Sequence, residues 1–331
     1  MTKDESSKTN GISIIICCYN SAQRIRKTLE HIFAQTLEGV ECEILVIDNN
    51  CTDNTVAIVN SFQGQTNLAF SLRIIEQPIP GLSYAREKGI EHANYEYIIF
   101  CDDDNWLSPN YVAMSFQIMR DHPLIGALGG RSEAVSDIEF PYWFTTFQGN
   151  YAVGVLGIKS GEVTLRGEVW GAGMVFRKSD YQALKNAGFT HLLTDRKGNA
   201  LSGGGDTELC KWFLLLGKKL WYDDRLSFKH YIEPPRLTLE YFEKLSRGNE
   251  QCLPIIRKYD IVLHALNNSR VAKLKNFFRY LIHSGLNLIR GHSQQNNNVY
   301  LEASNPFSWL CFDEDVKKIN SWVKRLPKSN T

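Results

Sequence analysis

IIFCDDDNWLSPNYV (residues 98–112) is the stretch on which the fold turns. Its apolar opening, Ile98 to Phe100, runs straight into Asp102, Asp103 and Asp104. A short continuous apolar run is how a strand buried on both faces reads. Ser108-Pro109 then reads as a helix start, with Ser108 as N-cap, Pro109 at N1 and the helix running over 109–121. The acidic run therefore lies at the carboxyl end of a strand, in the loop to a helix. Neighbouring carboxylates repel by about 4 kcal/mol per pair at an effective dielectric near 20. Either a solvated turn splays them or a cation gathers them. In an extended segment Asp102 and Asp104 share a side and Asp103 takes the other. A hard divalent cation, Mg²⁺ or Mn²⁺, takes one or two carboxylates and completes its shell with phosphate oxygens and water.

The same rhythm extends toward the N-terminus. ISIIIC (12–17), CEILVID (42–48), SLRIIEQP (71–78) and YEYIIFCD (95–102) read as strands. Between them lie SAQRIRKTLEHIFAQT, with Ile25, Leu29, Ile32 and Phe33 at helical spacing, a helix carrying Val56, Ile58 and Val59 and capped by Thr52 or Asp53, and SYAREKGIEHA (83–93). Alternating strands and helices imply an α/β fold, a mostly parallel sheet with helices on both faces. Such sheets bind ligands beyond their carboxyl strand ends. The polar clusters CYN, DNNCTD and DDDN all fall there.

After residue 122 the pattern loosens. IGALGGRSEAV reads as a strand, 136–168 as a long aromatic- and glycine-containing stretch, and WGAGMVFRKSDYQALKNAG as a strand then a helix. SGGGDTELCKWFLLLGKKL reads as a helix closed by Gly217, LWYDD and LSFKHYI as two strands, and the chain beyond about residue 236 as helical. Residues 1–10 are polar and expected to be disordered, with no signal-peptide core. No run of eighteen apolar residues occurs, and none of the eight cysteines forms a C-x-x-C pair, so a reducing, cytoplasmic setting is expected. A net charge of +1 without a dense basic run argues against nucleic acid as partner.

Each remaining cluster has two readings. Asp48 is either a turn former or a carboxylate for a base or ribose hydroxyl. Tyr19 either packs or stacks on a base. Arg86 is a surface residue or the partner of a diphosphate. Asp206, after three glycines in GGGDTEL (203–209), is a helix N-cap, a general base behind a mobile loop, or both. His230 is structural or a third metal ligand. Trp143 and Trp170 either stack on sugar rings or build the second half of the core.

Taken in order, ISIIICCYN, LVIDNNCTDNT, GLSYAREKGI, IIFCDDDNWLSPNYV, WGAGMVFRKS and GGGDTELC resemble the family-2 glycosyltransferases of GT-A fold, in particular bacterial, non-processive members, over roughly residues 12–232. The resemblance implies a GT-A catalytic domain over 11–235, with a nucleotide-sugar half at 11–122 and an acceptor half at 123–235, followed by a helical region over 236–331. By position it assigns Tyr19, Asp48, Arg86, Asp102 and Asp103 to the nucleotide-sugar, and Asp104, Asp102 and His230 to a Mn²⁺ or Mg²⁺ ion, Asp104 most directly. It makes Asp206 the base of an inverting transfer; the acceptor is then expected between the 136–173 region and the glycine loop, near Trp143, Trp170, Gly171 and Glu208. The implied partners are a nucleoside-diphosphate sugar, UDP-sugar first, and a glycan or lipid-linked acceptor in bacterial cell-surface glycan synthesis. The segment LKNFFRYLIHSGLNLI, with Lys273, Lys275, Arg279 and Arg290 around it, either rests on the inner membrane face through 270–290 or packs on the catalytic domain.

The chain departs from the family in three places. Cys17-Cys18 replaces a proline before Tyr19, Gly205 stands where an acidic residue often precedes the base, and the Gln-x-x-Arg-Trp signature of polymerising members is absent. Gly205 leaves open an inactive relative that only binds nucleotide-sugar or glycan. A sugar-phosphate nucleotidyltransferase is argued against by CCYNSAQR, which lacks that group's glycine- and arginine-rich loop.

Overall fold

A computed structural model describes residues 11–63, 70–196, 201–267 and 313–327. The expectations for 1–10 and for a membrane contact through 270–290 lie outside these residues. The first half follows the predicted rhythm: β1 (Gly11–Cys18), α1 (Ile25–Phe33), β2 (Glu41–Asp48), α2 (Thr55–Gln63), β3 (Phe70–Glu76), α3 (Leu82–His92) and β4 (Tyr97–Phe100). These four strands are parallel, in the order β3-β2-β1-β4. The two-residue period of a strand sorts its side chains to two faces. Ile12, Ile14 and Ile16 of β1 enter one core with Leu29 of α1 and Val59 of α2, while Ile15 enters the other with Ala85 and Ile90 of α3.

The second half is less regular. It comprises β5 (Asn105–Leu107), α4 (Tyr111–Asp121), β6 (Ile125–Val135), α5 (Phe144–Phe147), β7 (Gly161–Glu162), β8 (Val175–Arg177), α6 (Lys178–Asn186), α7 (Gly205–Leu215) and β9 (Lys219–Tyr231). The sheet continues β4-β8-β6-β9-β5, and β7 pairs with β9. The pairs β4/β8, β6/β8, β5/β9 and β7/β9 are antiparallel and short, while β6/β9 is parallel and long, so antiparallel pairs join a sheet whose longer pairings are parallel. Strands joined by long excursions rather than βαβ crossovers are free to enter in either direction. The expected strands LWYDD and LSFKHYI are one strand, β9, whose pairing with β6 jumps from Tyr222 to Ser227 between Gly129 and Arg131. At that irregularity a Cβ on Gly130 would lie 1.9 Å from the Leu226 carbonyl oxygen. Gly130→Ala must therefore shift backbone, and thermal unfolding should show a loss of about 2–3 kcal/mol, the upper end for overpacking.

Helix α4 begins at Tyr111, two residues later than the Ser-Pro signal suggested, and no side chain at its own start caps it. Ser108 contributes its carbonyl, which accepts from Tyr111 N–H, while the Gln35 amide oxygen accepts from Val112 N–H and its nitrogen donates to the Ser108 carbonyl. The cap comes from a distant residue, so the local hydroxyl is not needed. Beyond β9 lie α8 (Leu239–Gln251), α9 (Leu253–Asn267) and α10 (Glu314–Arg325). Asp313 caps α10 by accepting from Asp315 and Val316 N–H, and Val316, Ile319 and Trp322 face the second core. No described helix is long and apolar enough to cross a membrane.

Candidate active site

A cavity of about 800 Å³ opens at the carboxyl ends of β1 and β4. Its wall includes Cys17, Cys18, Tyr19, Arg86, Asp102 to Asp104, Trp170, Gly171, Asp206 and His230. Sequence reasoning placed most of these at one site, and the parallel half of the sheet is what brings them together.

The three aspartates resolve their repulsion with three arginines from three elements. Asp102 Oδ1 lies 3.8 Å from Arg86 Nη2 of α3. Asp103 is held by Arg24 at 2.8 Å and accepts from the Ser21 hydroxyl. Asp104 Oδ2 lies 2.9 Å from Arg236 Nη1. Arg236 arrives on a short 3₁₀ turn, Pro234–Leu237, whose neighbour Glu233 pairs with Arg24 at 2.9 Å. Strand β5 begins directly after Asp104, and its antiparallel pairing sets Asn105 opposite His230. This register puts His230 Nε2 3.3 Å from Asp104 Oδ1. Burial alone would raise the Asp104 carboxyl, but His230, Arg236 and Arg24 outweigh it and hold the group well below the usual carboxylate range. Burial within the cavity raises the Asp102 carboxyl, which Arg86 only partly opposes.

The residue types suit a hard cation. Two ligands at right angles in an octahedron with bonds of about 2.1 Å lie about 3 Å apart. Asp104 Oδ1 and His230 Nε2 are close to that separation, and the buried His230 Nδ1 has no hydrogen-bond partner. Arg236 holds the other Asp104 oxygen, while Oδ1 also accepts from the Asn105 side-chain amide at 3.1 Å, a bond that an ion at this edge would have to share. The expected trio is not a closed ligand set, because Asp102 faces Arg86 and, among the described residues, no three His, Cys, Asp or Glu side chains are arranged to hold a metal.

Asp206 sits in the first turn of α7, but it is not the N-cap, a position taken by Gly204 in the left-handed conformation. Its Oδ1 accepts from Thr207 N–H and its Oδ2 from Gly171 N–H, both at 2.8 Å. A Cβ on Gly171 would lie 2.6 Å from Arg86 Nη2 and 3.1 Å from Asp206 Cβ, so backbone, arginine and carboxylate meet closely there. Burial pushes the lining thiol of Cys17 up to about 12, which leaves it protonated at neutral pH and a poor nucleophile.

Three expected residues do not line the cavity. Trp143 is buried in a separate cluster with Phe144, Tyr151 and Leu245, so it is core rather than a sugar platform. Glu208 is fully buried on the far side of α7, where it accepts from Leu192 N–H and the Tyr259 hydroxyl and meets His191 Nδ1 at 3.0 Å. Helical geometry turns residue 208 away from residue 206, so Glu208 anchors a loop instead of an acceptor. Asp48 makes the turn after β2, accepting from Cys51 N–H at 2.8 Å, and its neighbour Asn49 lines the cavity. Tyr19 is 44% exposed at the rim. Trp170 lines the wall with Arg166 5.6 Å over its ring. Sequence reasoning missed Arg24, Asp195, Arg196, Lys211 and Arg236, all of which line the cavity. Arg24 and Lys211 stand in stretches read only as helices, and nothing in their local pattern marks any of the five as a site residue.

Comparison with known proteins agrees with this geometry. Poly-beta-1,6-N-acetyl-D-glucosamine synthase of Staphylococcus epidermidis is 25% identical over 197 residues, 59% of this chain and 46% of that one, so the chain spans about half the length of this curated relative. S. aureus TarS in complex with UDP-GlcNAc superposes with a TM-score of 0.54 at 17% identity, over 96% of this chain and 82% of that one. GalNAc-T7 with UDP, GalNAc and Mn²⁺ superposes with a TM-score of 0.50 at 13% identity, over 68% of this chain and 44% of that one. These two show a shared GT-A fold. The family model described as glycosyl transferase family 2 matches residues 13–184, just over half of the chain. With its sheet, its strand-end cavity and this match together, the chain belongs to glycosyl transferase family 2.

Proposed function

We propose that the chain transfers one sugar from a nucleoside-diphosphate sugar to an acceptor hydroxyl with inversion at the anomeric carbon. The observation that carries this is Asp206. Its carboxylate is fixed by two backbone N–H groups in the wall of a cavity that also holds Asp102, Asp104, Arg86 and His230. A general base needs this placement, with a lone pair within about 3 Å of the attacking hydroxyl in the working complex. A single displacement needs no protein nucleophile. The cavity volume of about 800 Å³ suits a ligand of nucleotide-sugar size.

Tyr19 at the rim and Asn49 beside it bound the nucleoside end, and Arg86 faces the diphosphate. Asp104 Oδ1 and His230 Nε2 would hold a Mg²⁺ or Mn²⁺ ion, which when bound supplies charge stabilisation on the leaving diphosphate. Trp170 and Gly171 border the acceptor. Leu165 is fully exposed beside the cavity-lining Arg166, an apolar tip next to a basic group at the proposed acceptor side. That pairing supports a lipid-linked acceptor and a chain at the inner membrane face. The complexes of TarS with UDP-GlcNAc and of GalNAc-T7 with UDP and Mn²⁺ support a UDP-sugar and a divalent ion.

The test is thermal unfolding with UDP, GDP, TDP or CMP, each with Mn²⁺ or EDTA, on wild type and His230→Gln. A ligand at 100 times its Kd stabilises by about 2.7 kcal/mol. One nucleotide should shift the wild type in Mn²⁺ and not in EDTA, with a smaller shift in His230→Gln. No metal-dependent shift with any nucleotide would remove the metal from this reading. Nucleotide binding without any donor turnover would favour an inactive relative.

A further inference from the structure

Gly205 has no backbone reason to be glycine. It is a helical residue of α7 outside the left-handed region. A Cβ there, however, would lie 2.2 Å from Asp195 Oδ2. The carboxylate of a residue ten positions earlier thus fills the space that a side chain preceding Asp206 would use. We propose that Asp195 supplies the second carboxylate beside Asp206, as a positioning residue that fixes Arg86, and that glycine at 205 is the vacancy it requires. This rests on the reading of Asp206 as the base.

Several contacts hold Asp195 in place. It is 5% exposed and lines the cavity. Its Oδ1 accepts from Arg196 N–H at 2.9 Å, and its Oδ2 lies 3.5 Å from Arg86 Nη1. The other Arg86 nitrogen faces Asp102 and crowds Gly171, whose N–H donates to Asp206. Arg86 is therefore gripped between Asp195 and Asp102 at the side of the base. Asp195 adopts φ +53°, a left-handed conformation that aspartate tolerates better than most residues. The Ser202 hydroxyl donates to its carbonyl, and the Arg196 carbonyl accepts from Leu82 N–H at the start of α3. Upstream, the buried Glu208 ties Leu192 to α7. Segment 191–196 is thus pinned at both ends, with its one cavity-facing carboxylate aimed at Arg86. Burial raises the Asp195 carboxyl, Arg86 draws it back and Asp206 adds to the rise, as expected of two carboxylates sharing one arginine.

The experiment compares wild type, Asp195→Gly, Gly205→Glu and the double variant. Glycine suits φ +53°, so Asp195→Gly removes the carboxylate without straining the backbone. Gly205→Glu alone should lower the unfolding midpoint by several degrees. In the Asp195→Gly background the same change should be tolerated to within about a degree, because the space is then free. With UDP-GlcNAc as donor probe and no acceptor, Asp195→Gly should lose at least tenfold in kcat with KM little changed. The double variant should regain most of that loss, which a merely structural role would not produce. Additive midpoints, full turnover by Asp195→Gly, or no recovery in the double variant would each overturn the proposal. If wild type consumes no UDP-GlcNAc, the proposed donor fails on its own, and the midpoints still decide whether Asp195 occupies the vacancy.

Discussion

Asp206→Asn should lower sugar transfer by about two to four orders of magnitude, the span over which a positioned general base contributes, while nucleotide affinity stays within about twofold. The substitution keeps size and removes basicity. Asp206 accepts two backbone N–H bonds, from Thr207 and Gly171. Asparagine offers one oxygen, so one of these bonds is lost and the fold gives up only about 1 kcal/mol. The loss of rate thus cannot come from unfolding. Single-turnover transfer and calorimetric titration with nucleotide, on the same preparation, check both halves. Wild-type turnover would end the assignment of Asp206 as base.

Asp104→Ala is the change with the largest expected effect on stability. Asp104, Arg236 and His230 are all at least 88% buried as side chains. Breaking such a pair by removing one partner leaves a buried charge uncompensated and costs about 3–5 kcal/mol. Denaturant titration should show the midpoint falling without a change in slope, and a loss below about 1 kcal/mol would mean that water reaches Arg236. The pH dependence follows in sign. The folded Asp104 titrates below its unfolded value of about 3.9. Its contribution is therefore fully present above that value and disappears as pH falls through the folded one. Wild type should lose stability more steeply than Asp104→Asn below about pH 4.

What was legible in the sequence divides along contact range. The strands β1 to β4 and their helices were readable because each is a local pattern, a continuous apolar run followed by a helical period. The cavity was readable because strand ends in such a sheet converge on one edge. Of the partners of the acidic run, Arg86 and His230 were readable, and Arg24 and Arg236 were not. Arg24 and Glu233 are 209 positions apart and Arg236 and Asp104 are 132 apart, and nothing in SAQR or PPRL marks either arginine. Strand β5 was hidden for the same reason, since three residues become a strand only because β9 lies alongside. Trp143 and Glu208 show the limit in another way. Their residue types suited the chemistry, but burial in a third cluster and behind α7 is decided by packing. Gly205 read as a missing acid, and only the position of Asp195 shows what occupies its space.

The pairing of β5 with β9 bears on how such a chain can be recombined. The βα rhythm of the first half ends near residue 122, which invites cutting there to exchange second halves between relatives. A fragment cut at that point would carry β5 without its neighbour β9, and Asp104 without Arg236 or His230. The surroundings of Asp104 are thus finished by residues 219–237, late in the chain. A working chimera has to keep β9 and the Pro234–Leu237 turn with the first half, and vary only the excursion between β6 and β8.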